Sequence, residues 1–333
     1  ALDKIKYGMN IQIREGSAAK NFEALIGLMD DYDDRILFCS DDKHPDDLLK
    51  GHINEMVVRA ISKGYDPIKV LRSVILNPIK HYGLDVGTLQ IGDPADMIVV
   101  DNLTDFNILR TYIDGILVAE KGISNIDSVP ENHPNKFNAK PITPSQLHVK
   151  PEGDKLCVIE AYDGQLITGF VTHNYKVIDN NVVSDVDNDI LKLVVLNRYN
   201  DAKPAIAFIK NFGFKNGAIA STVAHDSHNI IAVGVSDADI VRAINLVIQE
   251  QGGISCVNDN ATKVMGLPVA GLMSLEDPYK VAADYTQVDI MAKGLGSKLG
   301  SPFMTLSFMA LLVIPHLKLS DKGLFDGDHF KLF

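Results

Sequence analysis

Three stretches combine residue types whose spacing could support chemistry. In the first, Ile36-Leu37-Phe38-Cys39-Ser40-Asp41-Asp42-Lys43-His44, a hydrophobic run ends abruptly in two carboxylates. If the run is a buried parallel strand, Asp41 stands at its carboxyl end, where α/β sheets and barrels place their sites. A carboxylate there can ligate a divalent metal or accept a proton from an activated water. The competing reading is local, with Asp41, Asp42 and Asp46 capping a turn or a helix start. In the second stretch, Arg14-Glu15-Gly16-Ser17 follows an earlier strand-like run. An Arg and a Glu at a strand end could meet a polar heterocycle, with Gly16 permitting close backbone approach. The alternative is a surface ion pair with Ser17 as a helix cap. The third stretch, Ser221-Thr222-Val223-Ala224-His225-Asp226-Ser227-His228-Asn229, carries two imidazoles that could bind a metal or hydrogen-bond a substrate. No Cys or Glu completes a zinc pattern there, and a polar loop satisfied by its own backbone is the alternative. His52, alone after Gly51, reads as a structural histidine on a helix face. No P-loop, Rossmann glycine fingerprint or Gly-x-Ser-x-Gly elbow occurs.

The elements that must position these residues alternate in the first third of the chain. Residues 9–13 read as a strand, 18–29 as an amphipathic helix, 35–40 as an apolar strand and 48–63 as a helix, which is the pattern of parallel βα units. A helix over 67–76 stops at Asn77-Pro78, because the residue before proline is pushed out of helical space. From Gly83 the texture changes to Gly-rich turns and short β-branched runs, with a hairpin signal at Asp114-Gly115. Residues 84–123 therefore look like a small β unit. Residues 124–154 are rich in Pro and Asn and read as a linker. Beyond it, strands over 155–160, 166–172 and 192–196, an apolar run over 205–214 and a helix over 237–250 make a second α/β domain, 155–333. That helix has Ser236 as its cap, Asp237 and Asp239 at the positive end of its dipole, and Gly252-Gly253 as its stop.

Composition narrows the partners. The 333 residues are 46% hydrophobic and 23% charged, which suits folded domains with real cores and excludes disordered or collagen-like classes. The net charge of −11 is spread along the chain with no Lys/Arg stripe, so no nucleic acid is expected as partner. Three separated cysteines without a CxxC fit a reducing cytoplasm rather than a disulfide framework. No stretch approaches the ~20 apolar residues of a membrane span, and the longest, 303–319, is broken by Ser307 and Pro315-His316. The absence of an initiator Met and of a signal peptide, with a strand-like run close behind, is what a segment of a larger protein would show.

With these residues in view, the chain resembles the bacterial-type adenine deaminases of the amidohydrolase superfamily. The resemblance runs through Met9-Asn10-Ile11-Gln12-Ile13-Arg14-Glu15-Gly16-Ser17, Ser40-Asp41-Asp42, Gly51-His52-Ile53, Gly83-Leu84 and Gly92-Asp93-Pro94-Ala95-Asp96. It continues through Ala224-His225-Asp226-Ser227-His228-Asn229-Ile230, 267–274 (LPVAGLMS) and Gly323-Leu324-Phe325-Asp326-Gly327. The Gly-Asp-Pro-Ala-Asp string is general to amidohydrolases, whereas the three C-terminal strings look specific to adenine deaminases. The resemblance implies an α/β fold class: the end of a (β/α)8 metal-dependent barrel over 1–83, a small β-domain segment over 84–123, and a C-terminal α/β domain over 155–333. It further implies that an upstream half barrel, bearing a His-x-His pair and further ligands, completes the fold.

The activity implied is hydrolytic deamination of adenine to hypoxanthine and ammonia in purine salvage by a metal-activated water. By its place in the motif Asp41 is the carboxylate at the end of the eighth strand, as metal ligand and proton shuttle, with Asp42 as the alternative. A pair of divalent cations is implied, manganese or iron by family; ligand type alone does not separate these from zinc. Arg14, Glu15 and Ser17 are candidate purine contacts. His225, Asp226 and His228 are candidates to reach over the barrel mouth from the second domain. A homo-oligomer without membrane contact is expected. Two other classes stay open: a different amidohydrolase acting on a cyclic amide, and a non-catalytic fragment.

Overall fold

The computed structural model describes residues 1–127, 129 and 132–333, so Ser128, Pro130 and Glu131, which fall in the stretch read as a linker, lie outside the described residues. The chain divides into two compact units, Ala1–Pro130 and Glu131–Phe333.

In the first unit the strands Ile11–Arg14 and Ile36–Cys39 pair in parallel, with Ile11 opposite Ile36 and Arg14 opposite Cys39. A parallel pair needs a crossover, and helical turns supply it. Ile13 and Ile36 are fully buried and Leu37 and Phe38 nearly so, which explains why the second strand reads as a continuous apolar run rather than an alternating one. Phe22, Met29, Val57, Ala60 and Val70 close the same core.

The expected crossover helix over 18–29 is shorter and broken. It begins at Phe22 and runs Phe22–Leu25, a 3-10 turn Ile26–Leu28, then Met29–Tyr32. Ala19 takes a positive φ of 53°, and the Asn21 side chain, instead of capping the helix, accepts the Arg14 amide at 2.8 Å. The expected helix over 48–63 is two helices, Pro45–Lys50 and Ile53–Ser62. Gly51 stands at the break, where a Cβ would sit 2.5 Å from Glu55 Cγ and would have to displace that side chain. His52 is therefore at a helix start rather than on a helix face. The helix Pro67–Val74 is capped by Asp66, whose carboxylate accepts the Ile68 and Lys69 amides at 2.9 and 3.0 Å. Asn77-Pro78 does not end the helical region but opens a further helix, Leu76–Tyr82. Proline is tolerated in a first turn, where its missing amide would have no intrahelical acceptor. Asn77 instead laces this helix to the strand region, donating to the carbonyls of Asp33 and Ile36 at 2.8 Å each.

The rest of the unit is an antiparallel meander of Met97–Val100, Ile108–Ile113, Ile116–Glu120 and Ile123–Ser124. Asp114 and Gly115 take φ of 48° and 77° at the central hairpin, the left-handed pair that a two-residue turn demands. The Gly-Asp-Pro-Ala-Asp string serves this turn: the Asp96 carboxylate accepts the Gly87 and Asp114 amides at 2.8 Å each, which lowers its pKa below the ordinary aspartate value.

The second unit is built on an eight-stranded sheet. Its order is Thr262–Gly266, Gly253–Val257, Ala218–Ser221, Ile230–Gly234, Ile190–Leu196, Ala205–Lys210, Leu156–Glu160 and Gly169–His173. All neighbours are antiparallel except the parallel pair Ala205–Lys210 and Leu156–Glu160. The helix Asp237–Gln249 packs Ile240, Ile244 and Val247 into the core, and Ser236 caps it by accepting the Asp239 amide at 3.1 Å. Part of the stretch read as a linker belongs to this core: Ala139, Ile142 and Leu147 are buried against the same helix. Their spacing follows neither a helical nor a strand period, so pattern alone hides them. Lys192, buried in the sheet, donates to Asp237 at 2.6 Å and to the Leu147 carbonyl at 2.8 Å. The apolar run over 303–319 is a buried helix, Pro302–Phe308, followed by a strand, Leu317–Ser320. Among the described residues no helix is long and apolar enough to cross a membrane.

Candidate functional site

The parallel register brings the first two motif stretches to one end of the strand pair. Arg14 is the last residue of its strand, and Asp41 lies just past Cys39, the residue opposite Arg14. The Arg14 guanidinium pairs with Asp41 Oδ2. The other Asp41 oxygen accepts the Asp42 amide at 2.8 Å. Asp41 itself takes a φ of 55°, a left-handed conformation that Asp tolerates better than most residues. Both of its oxygens are thus engaged while the side chain stays 30% exposed, so the carboxylate is held but reachable. Burial and the neighbouring Asp41 charge raise the Cys39 thiol above its ordinary pKa, which keeps it protonated and inert.

The two strand-end loops are bonded to each other. The Glu15 amide donates to the Cys39 carbonyl at 3.2 Å and the Ser17 amide to the Asp42 carbonyl at 2.9 Å. Gly16 makes this approach possible, since a Cβ there would stand 2.7 Å from the carbonyl oxygens of both Ala18 and Asp42. Gly16 therefore admits the protein's own backbone. The Ser17 hydroxyl accepts the His44 amide at 2.9 Å and donates to Asp47 at 2.6 Å, so it caps no helix. Glu15 accepts from Arg59 at 2.9 Å and from the Phe22 amide at 3.2 Å, and the Arg59 guanidinium lies 4.2 Å over the Phe22 ring. Arg59 is a residue the sequence reading missed; its isolated position on a helix gives no pattern to find.

Beside these loops lies a cleft of about 330 Å³ lined by Glu15, Lys20, Lys43, Asp47, His52 and Glu55, among others. Lys43 is paired with Glu55 at 2.8 Å. Burial, then Lys43, lowers the His52 pKa, which favours the neutral imidazole. Asp46, weighed above as a cap, has a buried Oδ1 with no hydrogen-bond partner, and burial followed by the Asp47 charge raises its pKa.

A divalent cation needs about four to six donors. Among the described residues no group of three or more His, Cys, Asp and Glu side chains is arranged to hold one. Asp41 offers a single carboxylate, so the described residues do not fit a complete metal centre, and the chemistry derived below is limited to what these side chains do.

The third stretch forms a loop of the second unit, between the adjacent strands Ala218–Ser221 and Ile230–Gly234. The His225 amide donates to the Ser307 carbonyl at 3.1 Å. The His225 ring stacks on Phe308 with centroids 5.1 Å apart, and the His228 ring meets it edge-on at 5.5 Å. The His228 amide closes the loop onto the Ala224 carbonyl at 2.6 Å. Asp226 and Ser227 are exposed at its tip. The structure therefore brings Arg14 together with Asp41, ties Glu15 and Ser17 into the loops that carry that pair, and brings His225 together with His228.

Comparison with known proteins adds a second line of argument. Residues 165–331 match the family described as adenine deaminase C-terminal domain, and residues 2–118 match the amidohydrolase family. The chain is 52% identical over 334 residues to the adenine deaminase of Salinibacter ruber, covering 99% of this chain and 61% of that one. It is 52% identical to the adenine deaminase of a Sulfurovum species, covering 99% and 60%. Against the adenine deaminase of Methanosarcina acetivorans the identity is 49%, covering 99% and 62%. The chain thus spans about three fifths of the length of these relatives.

Proposed function

The chain belongs to the adenine deaminase family, as its similarity along 99% of its length shows, and from that premise we propose that it is the C-terminal part of an enzyme that hydrolyses adenine to hypoxanthine and ammonia. The observation that carries the reading is the Asp41 carboxylate, held at the carboxyl end of a parallel strand by Arg14 and by the Asp42 amide. In the reaction, Asp41 takes one proton from the water that attacks C6 and returns it to the exocyclic nitrogen, which departs as ammonia, while the water's other proton ends on ring N1 of hypoxanthine. Arg14 keeps the carboxyl group aimed through both transfers. Glu15 and Ser17 set the loop that carries Arg14 and face the purine from its edge. His225, Asp226 and His228 supply ring-nitrogen contacts from the second unit.

The complete enzyme, in this proposal, is a (β/α)8 barrel whose last strands and helices are residues 1–83. Residues 84–123 return to a small β domain, and the C-terminal α/β domain runs to 333 and takes in the later part of 124–154, whose Ala139, Ile142 and Leu147 pack in its core. A divalent metal, manganese or iron before zinc, would be held by Asp41 together with ligands from the upstream barrel half, and would supply acidification of the attacking water. The assembly is a cytoplasmic homo-oligomer.

The test is turnover by the complete protein of adenine against a cyclic amide, with metal content measured per chain. Adenine turnover with stoichiometric metal supports the reading. Turnover of the cyclic amide alone, or metal-free inactive protein, overturns it.

A further inference from the structure

In the second unit two of the motifs that the sequence singled out, 224–230 and 267–274, converge on a residue that no motif contains. Arg198 is only 4% exposed, and its described side-chain partners, Asn135 and Tyr199, include no carboxylate. Its amide donates to Asn229 Oδ1 at 3.2 Å. Its Nη2 donates to the Tyr199 hydroxyl at 2.9 Å, and its guanidinium lies 4.6 Å over the Tyr199 ring. Asn135 Oδ1 approaches Nη1 at 3.5 Å, and Nε has no hydrogen-bond partner among the described residues. On the remaining side Gly271, at a φ of 68°, presses so close that a Cβ there would sit 2.1 Å from Nη1.

The contact that gives this arrangement a direction is the next one. The Tyr199 hydroxyl, while accepting from Arg198, donates to the Ser227 carbonyl at 2.9 Å. A hydroxyl that accepts from a cation is polarised and becomes a stronger donor. Ser227 lies between His225 and His228, so a bond to its carbonyl fixes the backbone that carries both rings. A buried guanidinium without a carboxylate is costly, and apolar side chains of like volume would serve stability better.

We propose that Arg198 and Tyr199 are positioning residues for the loop 225–228, setting how it presents its imidazoles to substrate; this rests on the reading of that loop given above. The relay runs from the guanidinium through the phenol to the Ser227 carbonyl, while the Arg198 amide holds Asn229 at the loop's far end.

The experiment uses the complete protein, with Tyr199→Phe, Arg198→Lys, His225→Ala and His228→Ala compared. Tyr199→Phe removes two hydrogen bonds, the one accepted from Arg198 and the one donated to the Ser227 carbonyl, and little volume. Amide exchange within 225–228 is expected to quicken by about fivefold, the factor that one neutral hydrogen bond supplies. The KM for adenine should rise by a similar factor with kcat nearly unchanged, while the melting temperature falls modestly because the buried Arg198 Nη2 loses its acceptor. Arg198→Lys keeps the charge but loses the planar fork and should act in the same direction; if it does not fold, Tyr199→Phe decides alone. Unchanged loop exchange in Tyr199→Phe overturns the proposal. Quickened exchange with unchanged KM in Tyr199→Phe, His225→Ala and His228→Ala leaves the loop positioned by the relay but overturns its place at the substrate.

Discussion

Gly16→Ala probes the junction on which the candidate site rests. The added Cβ would stand 2.7 Å from the Ala18 and Asp42 carbonyl oxygens, where ordinary contact begins near 3.4 Å. Both obstacles are backbone, so the loops must part by about 0.7 Å, the difference of those two distances. The Ser17 amide to Asp42 carbonyl bond, 2.9 Å long, would then stretch beyond useful hydrogen-bond length. Losing that bond costs about 0.5–1.5 kcal/mol, and residual overpacking about 1–3 more, so unfolding free energy should fall by roughly 2–4 kcal/mol. The same parting moves Asp42, and with it Asp41, away from Arg14. A misplacement of this size at a reacting group is expected to lower kcat by roughly ten- to a hundredfold. The assay is urea denaturation together with adenine turnover on the complete protein. Gly27→Ala is the control, because nothing lies within 4 Å of a Cβ built there. If Gly16→Ala matches Gly27→Ala in both stability and kcat, the loops are not packed as described and the reasoning is wrong.

Two further predictions concern charge. Lys318 is fully buried, donates to the carbonyls of Leu166 and Phe308 at 2.6 and 3.1 Å, and burial pushes its pKa down to about 7. With the folded value below the unfolded one, the penalty is full below pH 7 and is relieved as pH rises toward 10.5, at up to about 1.4 kcal/mol per pH unit. Lys318→Met should remove that slope, so wild-type stability gains on that of the variant by up to about 1.4 kcal/mol per pH unit between pH 7 and 9; parallel pH profiles would contradict the buried charge. Arg59→Met should lower stability by about 1–3 kcal/mol by leaving Glu15, whose side chain is 17% exposed, without its charged partner. Glu15→Gln in the same background should restore part of the loss, and a purely additive pair in urea denaturation would show that the two do not interact.

The strand pair was legible because its signals are local. Ile36–Cys39 is apolar at every position because both faces are covered, and Asp114-Gly115 is a turn because only such residues take two left-handed conformations cheaply. The cap at Ser236 was legible for the same reason. Most of what escaped depends on contacts between distant residues. The helix break at Gly51 leaves the apolar pattern on either side unchanged, so the pattern does not show it. The burial of Ala139, Ile142 and Leu147 follows from a helix a hundred residues on, through bonds such as Asn245 to the Ile142 backbone at 2.9 and 3.0 Å. At the candidate site the carboxylate was legible from its strand end. Its partner was not, because the pairing of Arg14 with Asp41 depends on register, and Arg14 alone reads equally well as a ligand contact. Ser17 looked like a cap, yet its hydroxyl serves the loop around His44 and Asp47. Arg198 and Tyr199 carry no periodic or motif signal at all; only the fold places them under the loop.

The central claim is that Asp41, rather than its neighbour, moves the proton. The most direct measurement is kcat for adenine at neutral pH in the complete protein, compared between Asp41→Asn and Asp42→Asn. Each change removes one charge and almost no volume. Asp41→Asn should lower kcat by about 10²–10⁴-fold, the usual loss of a general acid and base, with unfolding midpoints near wild type. Asp42→Asn should stay within about tenfold of wild type, because it is the Asp41 carboxylate that Arg14 pairs with and aims at the strand end. The reverse order, or an Asp41→Asn enzyme that turns over adenine within tenfold of wild type, would contradict the account.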